Sequence, residues 1–110
     1  MKFTKKNNIY RIVRCTGTQN NILGVSFGSE NEMKLIKWPL AANEVIRTSE
    51  EDVLKQINSG LKSINRSLGT NYKLSKIYFL PSDRASDSVY ELLICKLIRH
   101  YHSGKEFKEI

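Results

Sequence analysis

The chain reads as one α+β domain, 1–110, with an antiparallel sheet of about four strands in the order βββαβα and two helices packed on one face. Three observations predict this class. Short segments rich in β-branched residues, separated by turn residues, fill the first third of the sequence. Two later stretches repeat apolar residues at helical spacing. A single apolar run stands between those two stretches, in the place of a buried strand. With 110 residues the chain is long enough to bury a modest core without staples.

The elements follow in order. Ile9 to Cys15 alternates and reads as the first strand. Thr16-Gly17-Thr18-Gln19-Asn20-Asn21 is a turn, and Ile22 to Phe27 is the second strand. Gly24 inside it marks a bulge or a close approach. Gly28 to Glu32 makes the next turn, and Met33 to Trp38 the third strand, ended by Pro39. Joined by short turns, these three strands form an antiparallel meander. The first helix begins at Thr48-Ser49-Glu50-Glu51-Asp52, where Thr48 with Glu51, or Ser49 with Asp52, has the spacing of a capping box or a close relative. Val53, Leu54, Ile57, Leu61, Ile64 and Leu68 form its apolar stripe, and Gly69 closes it. Tyr72 to Leu80 is the fourth strand, ended by Pro81-Ser82-Asp83. The last helix runs from Ser86 or Asp87 to His102, with Gly104 as its stop. Its apolar face is wide, so it lies across the sheet and is touched on two sides.

Composition narrows the function. A net charge of +7 favours a polyanionic or acidic partner, either nucleic acid or an acidic protein face. The N-terminal MKFTKKNNIYRIVRC lacks the apolar run of a signal peptide, and no stretch is long and apolar enough for a membrane span. Cys15 and Cys95 have no neighbouring Cys or His ligands, and read as buried thiols of a cytoplasmic protein. No metal or cofactor motif is present; the glycines form no phosphate loop.

Side chains capable of chemistry do not assemble into a catalytic set. His100 and His102, two apart on a helix, face different directions. Asp87 and Glu91 share one face, as carboxylates of a metal-dependent nuclease would, but acids at a helix start are ordinary caps and dipole partners. Cys95 is a mid-helix apolar filler. The reading is therefore a binding protein without enzymatic activity.

Binding residues are more legible. Lys55, Lys62 and Arg66 form a basic stripe on the first helix, opposite its core stripe. Arg11, Arg14, Lys34 and Lys37, with Tyr10 and Trp38, give the meander a basic and aromatic character, which on a sheet suits single-stranded nucleic acid. Trp38, the single tryptophan, is a candidate anchor beside Lys37. Asp83 and Asp87 offer a local acidic patch.

The segment Ile77-Tyr78-Phe79-Leu80-Pro81-Ser82-Asp83, followed by Ser88-Val89-Tyr90 and Lys96-Leu97-Ile98-Arg99-His100-Tyr101, resembles small bacterial immunity proteins of contact-dependent growth inhibition and related polymorphic toxin systems. The resemblance implies a non-enzymatic cytoplasmic inhibitor of one cognate toxin domain, often a nuclease. A basic inhibitor then needs an acidic toxin face, or must use its own acidic patches. The expected contact set is Lys37, Trp38, Lys55, Lys62, Arg66, Asp83 and Asp87, with a small nucleic-acid-binding module as the alternative function.

Overall fold

In the computed structural model, which describes residues 1–16, 19–28, 33–40, 42–83 and 88–110, an additional strand precedes the first predicted one and forms a hairpin with it. β1 (Lys2–Lys6) pairs antiparallel with β2 (Ile9–Thr16), Lys6 opposite Ile9, so Asn7-Asn8 is a two-residue loop. Asn7 has φ 55°, a conformation that asparagine tolerates and that tight hairpin loops require. β3 (Gln19–Phe27) continues the antiparallel pairing with β2. β4 (Lys34–Lys37), α1 (Glu50–Leu68), β5 (Leu74–Phe79), α2 (Val89–His102) and β6 (Lys108–Glu109) follow.

The expected antiparallel sheet of about four strands, its first three in a meander, is corrected in two respects. Among the described residues the sheet has six strands, ordered β4-β5-β3-β2-β1-β6, and it is mixed. β4 does not neighbour β3. It lies at the edge, parallel to β5, and β5 takes the place beside β3. The physical reason is the long connection through α1. A strand, a helix and a second strand form a crossover unit, and such a unit places its strands parallel and side by side. β1 and β6 extend the opposite edge, and they too are parallel.

Both helices cover one face of the sheet. Ile12, Leu23, Val25, Ile77 and Phe79 point from the strands into a core completed by Val53, Ile57 and Ile64 of α1 and by Leu93, Ile94, Leu97 and Ile98 of α2. Leu61 is only partly buried and packs against this core from its margin. α2 rests on β2 and β3 and is flanked by α1, so its wide apolar face is touched on two sides. The helices meet at Gly60. A Cβ there would collide with Ile94 Cγ2 and stand 2.8 Å from the Glu91 carbonyl oxygen.

The ends of α1 are settled by local chemistry. Of the two capping pairs, Ser49 with Asp52 is the one formed, the Ser49 hydroxyl accepting from the Asp52 N–H at 3.2 Å. The Thr48 hydroxyl instead donates to the Asp83 carbonyl at 2.7 Å. Gly69, with φ 66°, supplies the left-handed C-terminal residue. Beyond α2 an aromatic group of Phe3, Tyr10, Phe27, Tyr72, Tyr101 and Phe107 closes that end of the core.

Candidate interaction surface

With both helices on one side, the other face of the sheet is left open. Strand alternation decides what it carries. Ile12, Leu23, Val25, Ile77 and Phe79 face the core, so their sequence neighbours face away. One row of paired residues crosses all six strands on this face: Ile36, Tyr78, Gly24, Arg11, Thr4 and Lys108. On one side of that row Ile22 pairs with Val13, and Val13 with Lys2. On the other, Lys34 pairs with Lys76 and Lys76 with Ser26, while Ile9 pairs with Lys6.

Trp38 continues the course of β4, its N–H donating to the Phe79 carbonyl at 2.9 Å. Its indole turns onto the open face and lies over Gly24. A Cβ at Gly24 would stand 3.1 Å from Trp38 Cη2, 3.2 Å from Ile9 Cγ2 and 3.2 Å from Tyr78 Cβ. Gly24 thus marks a close approach, made by side chains across the sheet. The β-bulge falls instead between Ser26 and Phe27. Trp38 and Tyr78 stack with ring centroids 5.9 Å apart. The β4–β5–β3 part of the face is therefore largely apolar and aromatic, with the exposed Lys34 and Lys76 at one end, and the β1–β6 edge is cationic.

The charges on this face share one sign. Lys2, Lys6, Arg11, Lys34, Lys76 and Lys108 occupy open-face positions, and among the described residues no Asp or Glu does. Glu109 pairs with Lys5, in register with Tyr10, on the helix side. Arg11 stands at the join of the apolar and cationic parts. Its Nε is buried and has no hydrogen-bond partner among the described residues. The lone ion pair among the described residues, Lys37 with Glu50 at 3.4 Å, is elsewhere.

The predicted contact residues do not share a surface. Lys37 points to the helix side, where it meets the start of α1. Trp38 lies on the open face. Lys55, Lys62 and Arg66 are exposed on α1. Asp83 is an interior residue rather than an exposed one: it is 8 % exposed, its Oδ2 accepting from the Ile22 N–H at 3.0 Å. Burial is the main cause that raises its pKa, opposed by the Ile22 bond and reinforced by Glu44. Asp87 lies outside the described residues. Alternation also divides the basic and aromatic residues of the first strands. Arg11, Lys34 and Trp38 face outward, whereas Arg14, Lys37 and Tyr10 face the helices. The parity of each strand carried that distinction, but only a fixed register reveals which parity faces out.

The reactive side chains are tied into structure. His100 stacks on Phe3 with centroids 3.7 Å apart, and its Nε2 is 2.7 Å from the Glu106 carbonyl oxygen. His102 Nδ1 is 2.8 Å from the Tyr72 hydroxyl. Cys95 is partly buried and its thiol donates to the Gly60 carbonyl at 3.3 Å; burial, then Glu91, pushes its pKa up, away from a thiolate, with Arg99 in opposition. Cys15 is exposed, contrary to the expectation of a buried thiol. Among the described residues no group of three or more His, Cys, Asp or Glu side chains could hold a metal ion, and no helix is long and apolar enough to cross a membrane. No protein-family model, curated protein or solved structure matches the chain.

Proposed function

We propose that the protein is a non-enzymatic binding protein that neutralises a cognate bacterial toxin domain, and that its working surface is the open face of the sheet. The observation that carries this reading is the make-up of that face. Trp38, Tyr78, Ile9, Val13, Ile22 and Ile36 give it a partly exposed apolar area, and cations flank that area. Protein interfaces are built in this way, from an apolar, aromatic-rich interior and a polar margin. The resemblance of the C-terminal segment to immunity proteins supplies the kind of partner.

A nucleic-acid-binding module is the second reading, favoured by the single sign of the charges and by the aromatic pair. Yet four of those six apolar residues are aliphatic, and aliphatic groups do little for a base that needs a ring to stack on. The protein partner therefore fits better. The test is a protection assay with the toxin domain encoded beside this chain. Cells expressing both should survive, and Trp38→Ala combined with Tyr78→Ala should restore toxicity while the inhibitor remains folded. Full protection by that double variant would remove the open face from the mechanism.

A further inference from the structure

A second group of cations lies away from the open face, on the helix side of the sheet. Lys96, Arg99, His100 and Ser103 stand three or four residues apart along α2 and its C-terminal cap, so they form one stripe. Phe3 is on the same side, because its cross-strand partner Ile12 faces the core. The stripe, Phe3 with Met1, and Lys105 line a cleft of about 430 Å³. Gly104, with φ 71°, turns the chain after the helix and brings Lys105 back to this cleft. Three exposed cations therefore surround one hollow, and among the described residues no Asp or Glu lines it. None of the three belongs to an ion pair among the described residues. Cations at a helix C-terminus commonly complement its dipole. Here the last carbonyls already have donors: that of Arg99 accepts from the Ser103 N–H at 3.0 Å and the Ser103 hydroxyl at 2.8 Å, that of Tyr101 from the Gly104 N–H at 3.1 Å, and that of His100 from the Lys105 N–H at 3.3 Å. Lys96 lies before the last turn and Lys105 beyond the helix, so the dipole does not account for their meeting. The wall beside them is fixed, since Phe107 meets the stacked rings of Phe3 and His100 edge-on, at 5.9 Å and 4.8 Å.

We infer that this cleft binds a phosphate-bearing small molecule, with its phosphates among Lys96, Arg99 and Lys105 and its less polar part against Phe3 and Met1. The site is separate from the open face and does not rest on the inhibitor reading. Like charges gathered without an acid repel one another, and an anion of several charges removes that repulsion. A guanidinium holds two phosphate oxygens at once, and a lysine adds a point charge that tolerates varied geometry. A single carboxylate would neutralise one of the three cations, so a phosphate or diphosphate matches them better. The volume is that of a small-molecule site, since ligand clefts span about 300–1,000 Å³. A nucleic-acid strand needs a basic groove that continues along its backbone, whereas these cations close around one hollow.

The test uses the full chain labelled with 15N and three probes at matched ionic strength: adenosine diphosphate, inorganic pyrophosphate and adenosine. Adenosine diphosphate should move the Ser103 and Lys105 amides and the Arg99 Nε–H signal, and leave the amides of β4, at the far edge of the sheet, unmoved. By calorimetry it should bind at least as tightly as pyrophosphate, and adenosine should bind on the order of tenfold more weakly or less well still. Arg99→Gln and Lys105→Gln, both at exposed positions, should each weaken the diphosphate on the order of tenfold, the worth of one charge-assisted contact. Lys73→Gln, exposed between α1 and β5, removes the same charge and should change the affinity by less than about twofold. An equal loss in Lys73→Gln would reduce the effect to net charge and overturn the site. Unmoved Ser103 and Lys105 signals would do so too, as would adenosine binding as tightly as the diphosphate, or pyrophosphate binding while the diphosphate does not. An oligothymidylate that moves the same signals and displaces the diphosphate, with a steep salt dependence, would assign the cleft to nucleic acid and also overturn the inference.

Discussion

At the scale of single residues, two positions decide how much of the surface and interior chemistry is at stake. Gly24 lets the indole of Trp38 come close to the sheet, and a methyl group there must displace Trp38, Ile9 Cγ2 and Tyr78 Cβ by a few tenths of an ångström. Trp38 sits just beyond the last residue of β4, so it can lift. Gly24→Ala should therefore cost little stability, because alanine regains about 0.5–1 kcal/mol of backbone entropy in a strand. The emission of Trp38, the only tryptophan, should shift to the red as the ring enters water. An unshifted spectrum would show that the ring does not rest on Gly24. Tyr90 is the interior counterpart. It is fully buried, and among the described residues its hydroxyl has no hydrogen bond of good geometry; the Thr48 hydroxyl, which donates to the Asp83 carbonyl, lies beside it. Burial first, then the charge of Asp83, pushes the Tyr90 pKa up to about 12, with the Thr48 hydroxyl in opposition. The folded chain thus holds the phenol proton more tightly than the unfolded chain, whose tyrosine titrates near 10. The stability this provides is complete below pH 10 and is lost as pH rises from 10 through about 12. Tyr90→Phe should leave neutral-pH stability within about 1 kcal/mol of wild type, since it removes a poorly satisfied hydroxyl and little volume. It should also flatten the alkaline limb of a stability–pH curve. A variant with an unaltered alkaline limb would locate that limb in other tyrosines, among which Tyr101 is also raised, chiefly by burial.

At the scale of elements, the tightest joint is the crossing of α1 and α2 at Gly60. Two effects of Gly60→Ala oppose each other. Alanine in a helix interior gains about 1 kcal/mol over glycine. Overpacking costs about 1–3 kcal/mol, and here part of the obstacle is the Glu91 backbone, which cannot swing aside like a flexible side chain. The helices must separate, so the net effect should be a loss of up to about 2 kcal/mol, read as a lower denaturation midpoint. A midpoint raised by the substitution would mean that the helices cross farther apart. Leu97→Ala, beneath the same helix pair, should cost about 2–5 kcal/mol through transfer energy and a cavity. The helices were the legible part of this fold: Val53, Ile57 and Ile64, then Leu93, Leu97 and Ile98, fall at helical spacing in the sequence and all are buried in the structure. Ser49, Gly69 and Gly104 mark helix ends by chemistry alone. Strand placement was not legible to the same degree. β1 has one inward apolar residue, Phe3, amid lysines, so its pattern is faint; the Asn7-Asn8 loop was its clearest signal. The position of β4 depends on the crossover through α1, and nothing within residues 34–37 encodes which neighbour it will have. The open face inherits that difficulty. Trp38 could be singled out as an anchor, but its neighbours Tyr78, Ile9 and Gly24 come together only when β5 inserts between β3 and β4.

At the scale of the whole molecule, charge is segregated. The described acids lie in the β4–α1 connection (Glu44), in the first turn of α1 (Glu50, Glu51, Asp52), in the interior (Asp83), on α2 (Glu91) and near the C-terminus (Glu106, Glu109), and none takes an outward strand position of the open face. The basic stripe of α1, Lys55, Lys62 and Arg66, shares its helix with that acidic first turn, so its field is partly cancelled. The cations of the open face have no such company. Two triple variants separate net charge from its placement. Reversal of Lys2, Lys34 and Lys76 to Glu, and reversal of Lys55, Lys62 and Arg66 to Glu, change the net charge equally, and all six side chains are exposed. Neither triple should unfold the domain, because the lone described ion pair involves none of them and isolated surface charges contribute little. On a sulfonated cation-exchange matrix, however, the open-face triple should elute at distinctly lower salt than the α1 triple, since a flat cationic face engages many fixed anions at once and a partly compensated helix does not. Coincident elution of the two variants would show that the protein's charge acts only as a sum, and the case for an electrostatically selected partner on the open sheet would lapse with it.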